Sequence, residues 1–417
     1  MSLQSKILDL ADRCVKCGMC LPSCPTYQQT LNENESPRGR IALLQGLAAG
    51  QLQASRSLHQ HLARCMNCRN CERICPAEVQ YEQLLDHGRS LLAEKYPASR
   101  FARWLKHASL ALLSRRERIN RLNRLLRFYQ RSGLQRLVRF SGLLRLTNTR
   151  HLESLLPPLK TARHYASRYL YIGEPQGRVA LFSGCLGTTL EQDTLNATII
   201  LLNRLGFSVD IGKAQTCCGA LARHNGEAQQ AVTLARQNLA SFASGNWNAI
   251  VYTASGCGAH LLNYPSLPWP DESLRQQAET FSRQTREITA FLSEIDWPET
   301  LKFTPLHKRV AVHEPCSQRN GLRQADLATP LLRRIPGLEV GSLPGNAQCC
   351  GGGGSYMLTQ PVTAQRLRAE KLKAIEAAHP DIVVSTNPGC ALYLAAGLPA
   401  SNIRIVHPVV LLAEQLV

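Results

Sequence analysis

Eight of the sixteen cysteines fall in two runs, C-V-K-C-G-M-C-L-P-S-C-P at 14–25 and C-M-N-C-R-N-C-E-R-I-C-P at 65–76. Both read C-x2-C-x2-C-x3-C-P, a pattern in which three thiolates of a run hold one cubane and the fourth reaches across to the other. The spacing predicts one [4Fe-4S] cluster on Cys14, Cys17, Cys20 and Cys75, and a second on Cys65, Cys68, Cys71 and Cys24. Zinc is the rival for any C-x2-C pair, but structural zinc sites separate two such pairs by a spacer. Four cysteines within eleven residues, twice, each run followed by proline, favour iron–sulfur chemistry and hence the movement of single electrons.

The other eight cysteines form two matched sets. Cys185, Cys217, Cys218 and Cys257 make the first; Cys316, Cys349, Cys350 and Cys390 make the second. Cys185 to Cys217 is 32 positions and Cys316 to Cys349 is 33, while Cys218 to Cys257 is 39 and Cys350 to Cys390 is 40. An isolated cysteine is commonly an inert core residue, but two vicinal pairs in register are poorly explained that way. Thiolates gathered beside Gly219 and the Gly351–Gly354 run suit an extra centre, either a further Fe–S cluster or zinc. A redox-active vicinal dithiol is the alternative. His224, six residues after Cys218, is the histidine to test as a donor behind such a centre. His87, His260, His313 and His407 read as satisfied structural residues. No catalytic acid, base or nucleophile stands out. The glycine run lacks the Gly-Lys-Ser/Thr of a phosphate loop, and no G-x-G-x-x-G opens a helix, so neither flavin nor NAD is expected on this chain.

Elements must position these groups. Residues 1–96 read as helix, cluster loop, helix, cluster loop, helix: an all-α two-cluster domain. Helices are expected at 3–13, 41–47, 57–64 and 81–96. Residues 97–177 are a basic connector. Between Lys95 and Arg168 stand eighteen Lys/Arg against Glu117 and Glu153, so most of the formal +18 belongs to this one segment. Ile119, Leu122, Leu126 and Tyr129 recur at helical spacing, with Arg118, Arg121 and Arg124 set between them as candidate docking residues. Such a face is either solvated or docks on anionic lipid or an acidic partner. Nucleic acid is not expected, because no binding motif accompanies the charge.

From Arg178 the texture becomes strand and helix in alternation. Strands are expected at 178–185, 207–211 and 249–254, then again at 309–316, 338–342 and 382–386. The two lobes, 178–263 and 307–417, each read as βαβαβ and hence parallel α/β, with cysteines just after strand ends, where open sheets bind ligands. Residues 264–306 read as the inter-lobe connection plus one helix. The fold class is therefore α+β multidomain. No apolar run reaches membrane-span length and the N-terminus lacks an apolar leader core, so a cytoplasmic chain is expected, or one peripheral on the inner face of the cytoplasmic membrane.

C-V-K-C-G-M-C-L-P-S-C-P-T-Y, S-P-R-G-R-I (36–41), C-M-N-C-R-N-C-E-R-I-C-P with L-L-D-H-G-R (84–89), C-C-G-A-L-A-R-H (217–224), A-S-G-C-G-A (254–259) and C-C-G-G-G-G (349–354) together resemble the iron–sulfur subunit of glycolate oxidase (glycolate dehydrogenase). This family joins a two-cluster ferredoxin domain to two cysteine-rich CCG domains. Only the basic connector is unmatched by motif. The resemblance implies an electron-transfer subunit of an oxidoreductase: a separate flavoprotein oxidises glycolate or a similar 2-hydroxy acid, and electrons pass through the clusters towards a membrane quinone. The iron–sulfur subunit of anaerobic glycerol-3-phosphate dehydrogenase shares the plan, although S-P-R-G-R-I argues against it. The CCG domain of heterodisulfide reductase carries a fifth cysteine per repeat, where this chain has His260 and Tyr393. That departure weakens a disulfide-reductase reading.

Overall fold

The computed structural model describes residues 2–147, 149–243, 245–398 and 402–417. Its N-terminal region is helical, with helices Leu3–Ala11, Pro37–Ala48, Arg56–Ala63 and Tyr81–Lys95 around Ile7, Leu44, Leu47, Leu62, Leu84 and Leu85. Three of these begin on a serine cap; Ser36 Oγ, for example, accepts from the Gly39 amide at 2.9 Å. The second helix starts four residues earlier than expected. Pro37 is the first helical residue, where its missing N–H costs nothing. Gly88 lets two helices cross closely, since a Cβ there would lie 2.2 Å from Leu44 Cδ2.

The connector forms helices Arg100–Ser114, Arg116–Arg131, Leu134–Phe140, Leu143–Leu146 and Arg150–Ser154. The breaks fall at Gly133 and Gly142, which take left-handed φ of 82° and 74°. Its arginine-rich helix is anchored by Ile119 and Asn123, both buried, and by Arg116, which donates to Ser183.

Two sheets follow. Strands β1 (Arg168–Tyr169), β2 (Gly177–Phe182), β3 (Phe207–Asp210), β4 (Ala249–Tyr252) and β5 (Thr285–Glu287) form the first, in the order β1-β3-β2-β4-β5. Strands β6 (Arg309–His313), β7 (Glu339–Ser342), β8 (Ile382–Ser385) and β9 (Arg404–Val406) form the second, in the order β7-β6-β8-β9. Every pairing is parallel except β1 with β3. The six expected strands are present, and the mixed α+β class holds. Strands β1, β5 and β9 were not anticipated. They are short edge strands, and β5, with helices Glu272–Gln284 and Ile288–Glu294, comes from the segment expected to be a connection with a single helix.

One apolar core runs under both lobes, joining Val179, Leu181, Leu201 and Val251 to Val310, Val312, Val384 and Leu411. The lobes also meet through backbone and hydroxyl groups, with the Ser255 amide donating to Thr386 O and Ser255 Oγ lying 2.9 Å from Ser317 Oγ.

Candidate iron–sulfur and thiol centres

The two cluster loops have the same backbone. Lys16 and Gly18 in the first, and Asn67 and Arg69 in the second, take left-handed φ of 57°, 85°, 56° and 58° at matching places between the cysteines. Such alternation turns successive amides into a concavity for an anion. Cys14, Cys17, Cys20 and Cys75 line one cleft together with Cys71, walled by Val15, Met19, Pro37, Ile41, Pro76, Ala77 and Val79. Four soft donors in an apolar cleft suit an iron–sulfur cluster.

Cys65, Cys68, Cys71 and Cys24 gather deeper in the domain. Burial pushes the Cys68 and Cys71 thiols well up, and the charges of Cys24 and Cys65 bear on both. Cys24 is itself buried, and its Sγ lies 3.3 Å from Thr26 Oγ1, whereas Cys17 is exposed.

Residues that the motif reading treated only as a signature hold this second loop. Arg40 and Glu35 are each 1% exposed and pair at 2.6 Å. Arg40 also donates to Thr26 Oγ1, Glu35 O and His61 O, while Arg64 and His61 reach Glu35 Oε1 at 2.8 Å. The Arg40 guanidinium therefore sits as a fixed cation beside Cys24 and Cys65, whose charges favour its protonated form. Arg38 pairs with Glu33 at 2.5 Å and donates to Lys16 O in the first loop. Gly39 passes so close to Glu33 O (1.9 Å from an added Cβ) that no side chain fits. S-P-R-G-R-I is thus a helix start whose two arginines brace the two cluster loops. The signal available in the sequence was the acidic Glu33 and Glu35 just before it.

The lobe thiols lie after strand ends, as expected, and each set is close-packed: Cys185 touches Cys217, and Cys218 touches Cys257; Cys316 touches Cys349, and Cys350 lies 2.9 Å from Cys390. Amide donors support them, from Gly219 to Cys217 at 3.5 Å and, in the second lobe, from Gly351 to Cys349 at 3.5 Å and Gly352 to Cys350 at 3.4 Å. His313, read as merely structural, stands with Cys350 and Cys390 so that all three ligand atoms lie within 4.8 Å. His224 stands in the domain interface, with Nδ1 3.2 Å from Asp86 Oδ1 and 3.0 Å from Asn67 Nδ2.

L-L-D-H-G-R supplies that interface. Burial alone would raise the Asp86 carboxyl, but His224 and Arg223 hold it down at about 2. Arg89 donates to His224 O in the first lobe and to Cys65 O in the cluster loop. The second lobe grips the same loop elsewhere: Asn320 donates to Cys68 O at 2.7 Å, and Asn70 donates to Ala347 O at 3.1 Å. Cys68 consequently packs in one group with Met66, Cys316 and Cys349. His260 is pushed by burial down to about 3, as is His407, whose Nε2 lies 3.0 Å from Thr253 O. Burial likewise lowers His87, to about 4.

On the connector, Arg118, Arg121 and Arg124 are all exposed. Arg118 donates to Ala111 O, while Arg121 and Arg124 line a cleft with Arg127 and His164. Large apolar groups are exposed alongside them, among them Trp104, Leu125, Phe128, Phe140 and Leu146. Among the described residues, no helix is long and apolar enough to cross a membrane.

Comparison with known proteins agrees with this architecture. Residues 10–79 match a 4Fe-4S dicluster domain, and residues 179–262 and 310–395 each match a cysteine-rich domain. The connector, which carries no recognisable motif, matches at 101–156 the linker region of the glycolate oxidase iron-sulfur subunit. The chain is 34% identical over 412 residues to the probable glycolate oxidase iron-sulfur subunit of Bacillus subtilis, covering 96% of this chain and 93% of that protein. It is 31% identical over 388 residues to the glycolate oxidase iron-sulfur subunit of Escherichia coli, covering 92% and 89% respectively. Lactate utilization protein A of Geobacillus kaustophilus is 31% identical over 232 residues, 55% of this chain and 96% of that protein. The chain belongs to the glycolate oxidase iron–sulfur subunit family, and its role is electron transfer within an oxidoreductase.

Proposed function

We propose that this chain carries electrons from a partner flavoprotein, which oxidises a glycolate-type 2-hydroxy acid, towards a membrane quinone. One cluster is held by Cys14, Cys17, Cys20 and Cys75, and the other by Cys65, Cys68, Cys71 and Cys24. The observation that carries this reading is the contrast between the loops. Cys17 is exposed and rimmed by Val15 (71% exposed) and Met19 (57%), whereas Cys24 is buried and Cys68 packs with Cys316 and Cys349 of the second lobe. Bound clusters supply one-electron carriers. The chain's own residues do the rest. Val15 and Met19 offer an apolar surface where a redox partner can approach without water between, and Arg40 offsets thiolate charge at the inner site. Tyr81 OH donates to Cys65 Sγ at 3.7 Å. The names of the relatives, glycolate oxidase and lactate utilization, both point to 2-hydroxy acids as the partner's substrate class.

The connector supplies the second contact. Its exposed aromatics and leucines interleave with arginines of a single sign, the composition of a helix lying in an anionic lipid interface. Isolation of the native complex tests the whole proposal. A flavoprotein should co-purify, and glycolate or lactate should reduce the clusters, read by their EPR signals. Reduction by glycerol 3-phosphate alone, or no flavoprotein at all, overturns it. Arg118→Glu, Arg121→Glu and Arg124→Glu together should lower sedimentation with phosphatidylglycerol vesicles at least tenfold without changing retention of the flavoprotein. Loss of the flavoprotein with vesicle binding intact would assign the face to the protein partner.

A further inference from the structure

The two thiol sets have the same frame and different surroundings. By strand register, Val179 pairs with Val209 and Ala249 as Val310 pairs with Val340 and Ile382. Phe182 of the first lobe therefore corresponds to His313 of the second, and Tyr252 to Ser385. Gly219 and Gly351 are covered by Ala231 and Ala364, which makes Lys371 the counterpart of Asn238. The three differences lie together, around the same thiols.

His313 is buried, and its Nδ1 lies 3.0 Å from Ser385 Oγ. That bond fixes the ring and presents its other nitrogen for ligation, the usual arrangement behind a metal-bound imidazole. The His313, Cys350 and Cys390 ligand atoms stand within 4.8 Å of one another. Two thiolates sharing a tetrahedral ion with bonds of about 2.3 Å stand about 3.8 Å apart. A cubane gives each thiolate its own iron and keeps the sulfurs farther apart, so Cys350 and Cys390, at 2.9 Å, stand nearer to single-ion spacing than to cubane spacing, and the imidazole of His313 is what the close thiols of the first lobe lack. Lys371 is 1% exposed and its Nζ donates to Gly345 O at 2.6 Å. The first lobe has the neutral Asn238 there and no imidazole at the Phe182 position.

We propose that the second lobe, and not the first, binds one zinc-class divalent ion through His313, Cys350 and Cys390. Binding displaces the thiol protons to solvent and involves no change of oxidation state, so this centre is redox-silent beside the inner cluster loop. It stands independently of the identity of the flavoprotein and its substrate.

Elemental analysis of the full chain, purified anaerobically with its native partners, tests this. The expected result is one zinc and eight irons per chain. His313→Phe, which installs the first-lobe residue, and Cys390→Ser should each lower zinc at least fivefold while iron stays at eight. Cys257→Ser in the first lobe should leave zinc at one. Should His313→Phe not accumulate, His313→Gln, which keeps a polar partner for Ser385, reads the same quantity. Cobalt(II) loaded in place of zinc should show thiolate charge-transfer bands that weaken in Cys390→Ser. Zinc retained in both second-lobe variants, zinc lost equally in Cys257→Ser, or about twelve irons with no zinc each overturn the proposal.

Discussion

The two lobes share strand order and cysteine intervals, but they meet the helical domain in different ways. The first holds it by charge: Arg223 and His224 close on Asp86, inside a contact where Arg223 and Asp86 are about 5% exposed. The second holds it by hydrogen bonds without an ion pair, from Asn320, Asn70 and Arg319, laid around Cys68, Asn70 and Ala347. One frame, used twice, thus acts as a clamp on one side and as the wall of the inner cluster loop on the other. The thiols alone do not determine what a lobe does; the residues one position outwards divide the work.

The widest separation between the lobes should come from cutting each contact. Asp86→Ala strands the buried Arg223 charge and frees His224, which bonds Asn67 of the inner loop, and should cost about 3–5 kcal/mol in urea unfolding. Asn70→Ala should cost less, about 1–3 kcal/mol, but should shift the inner-cluster EPR signal more. Equal costs, or an equal shift of that signal in both variants, would erase the distinction between clamp and wall.

A smaller difference is expected at the paired glycines. Gly219 and Gly351 both have left-handed φ, 92° and 83°, so alanine strains the backbone at either. An added Cβ meets Ala231 O at 3.4 Å in the first lobe but Ala364 O at 2.4 Å in the second. Gly351→Ala should therefore be the more destabilising by about 1–2 kcal/mol, seen as a lower urea midpoint.

The smallest effect is at His407, whose ring bridges from the second lobe to Thr253 of the first. Burial lowers it from 6.5 to about 3, so the folded form resists a proton that the unfolded form accepts. Its stabilising contribution is complete above pH 6.5 and fades as pH falls towards 3. The urea midpoint should drop between pH 7.5 and 5.5, and His407→Asn should flatten part of that slope. An unchanged slope would remove His407 from the inter-lobe contact.

Much of this architecture was legible before any coordinates. The cysteine runs marked the helical domain, and the matched intervals marked the paired lobes with their six central strands. What escaped has physical reasons. Strands β1, β5 and β9 span only two or three residues, too few for alternation to register. His313 looked like any buried histidine at a strand end; superposing the repeats position by position would have set it against Phe182. Arg40 and Glu35 carry no sign of their burial in the sequence, because burial of an ion pair depends on what packs over it. The connector's helices and their glycine breaks could be read from periodicity, but its family could not, since arginines and leucines at helical spacing carry little identity.

The inner cluster loop lies beneath both lobes, with Cys68 against Cys349 and its carbonyl tied to Asn320. That placement has a consequence for synthesis: the 417-residue chain makes the inner loop long before the lobe that packs on Cys68, so the loop stands open to iron and sulfide before its cover exists.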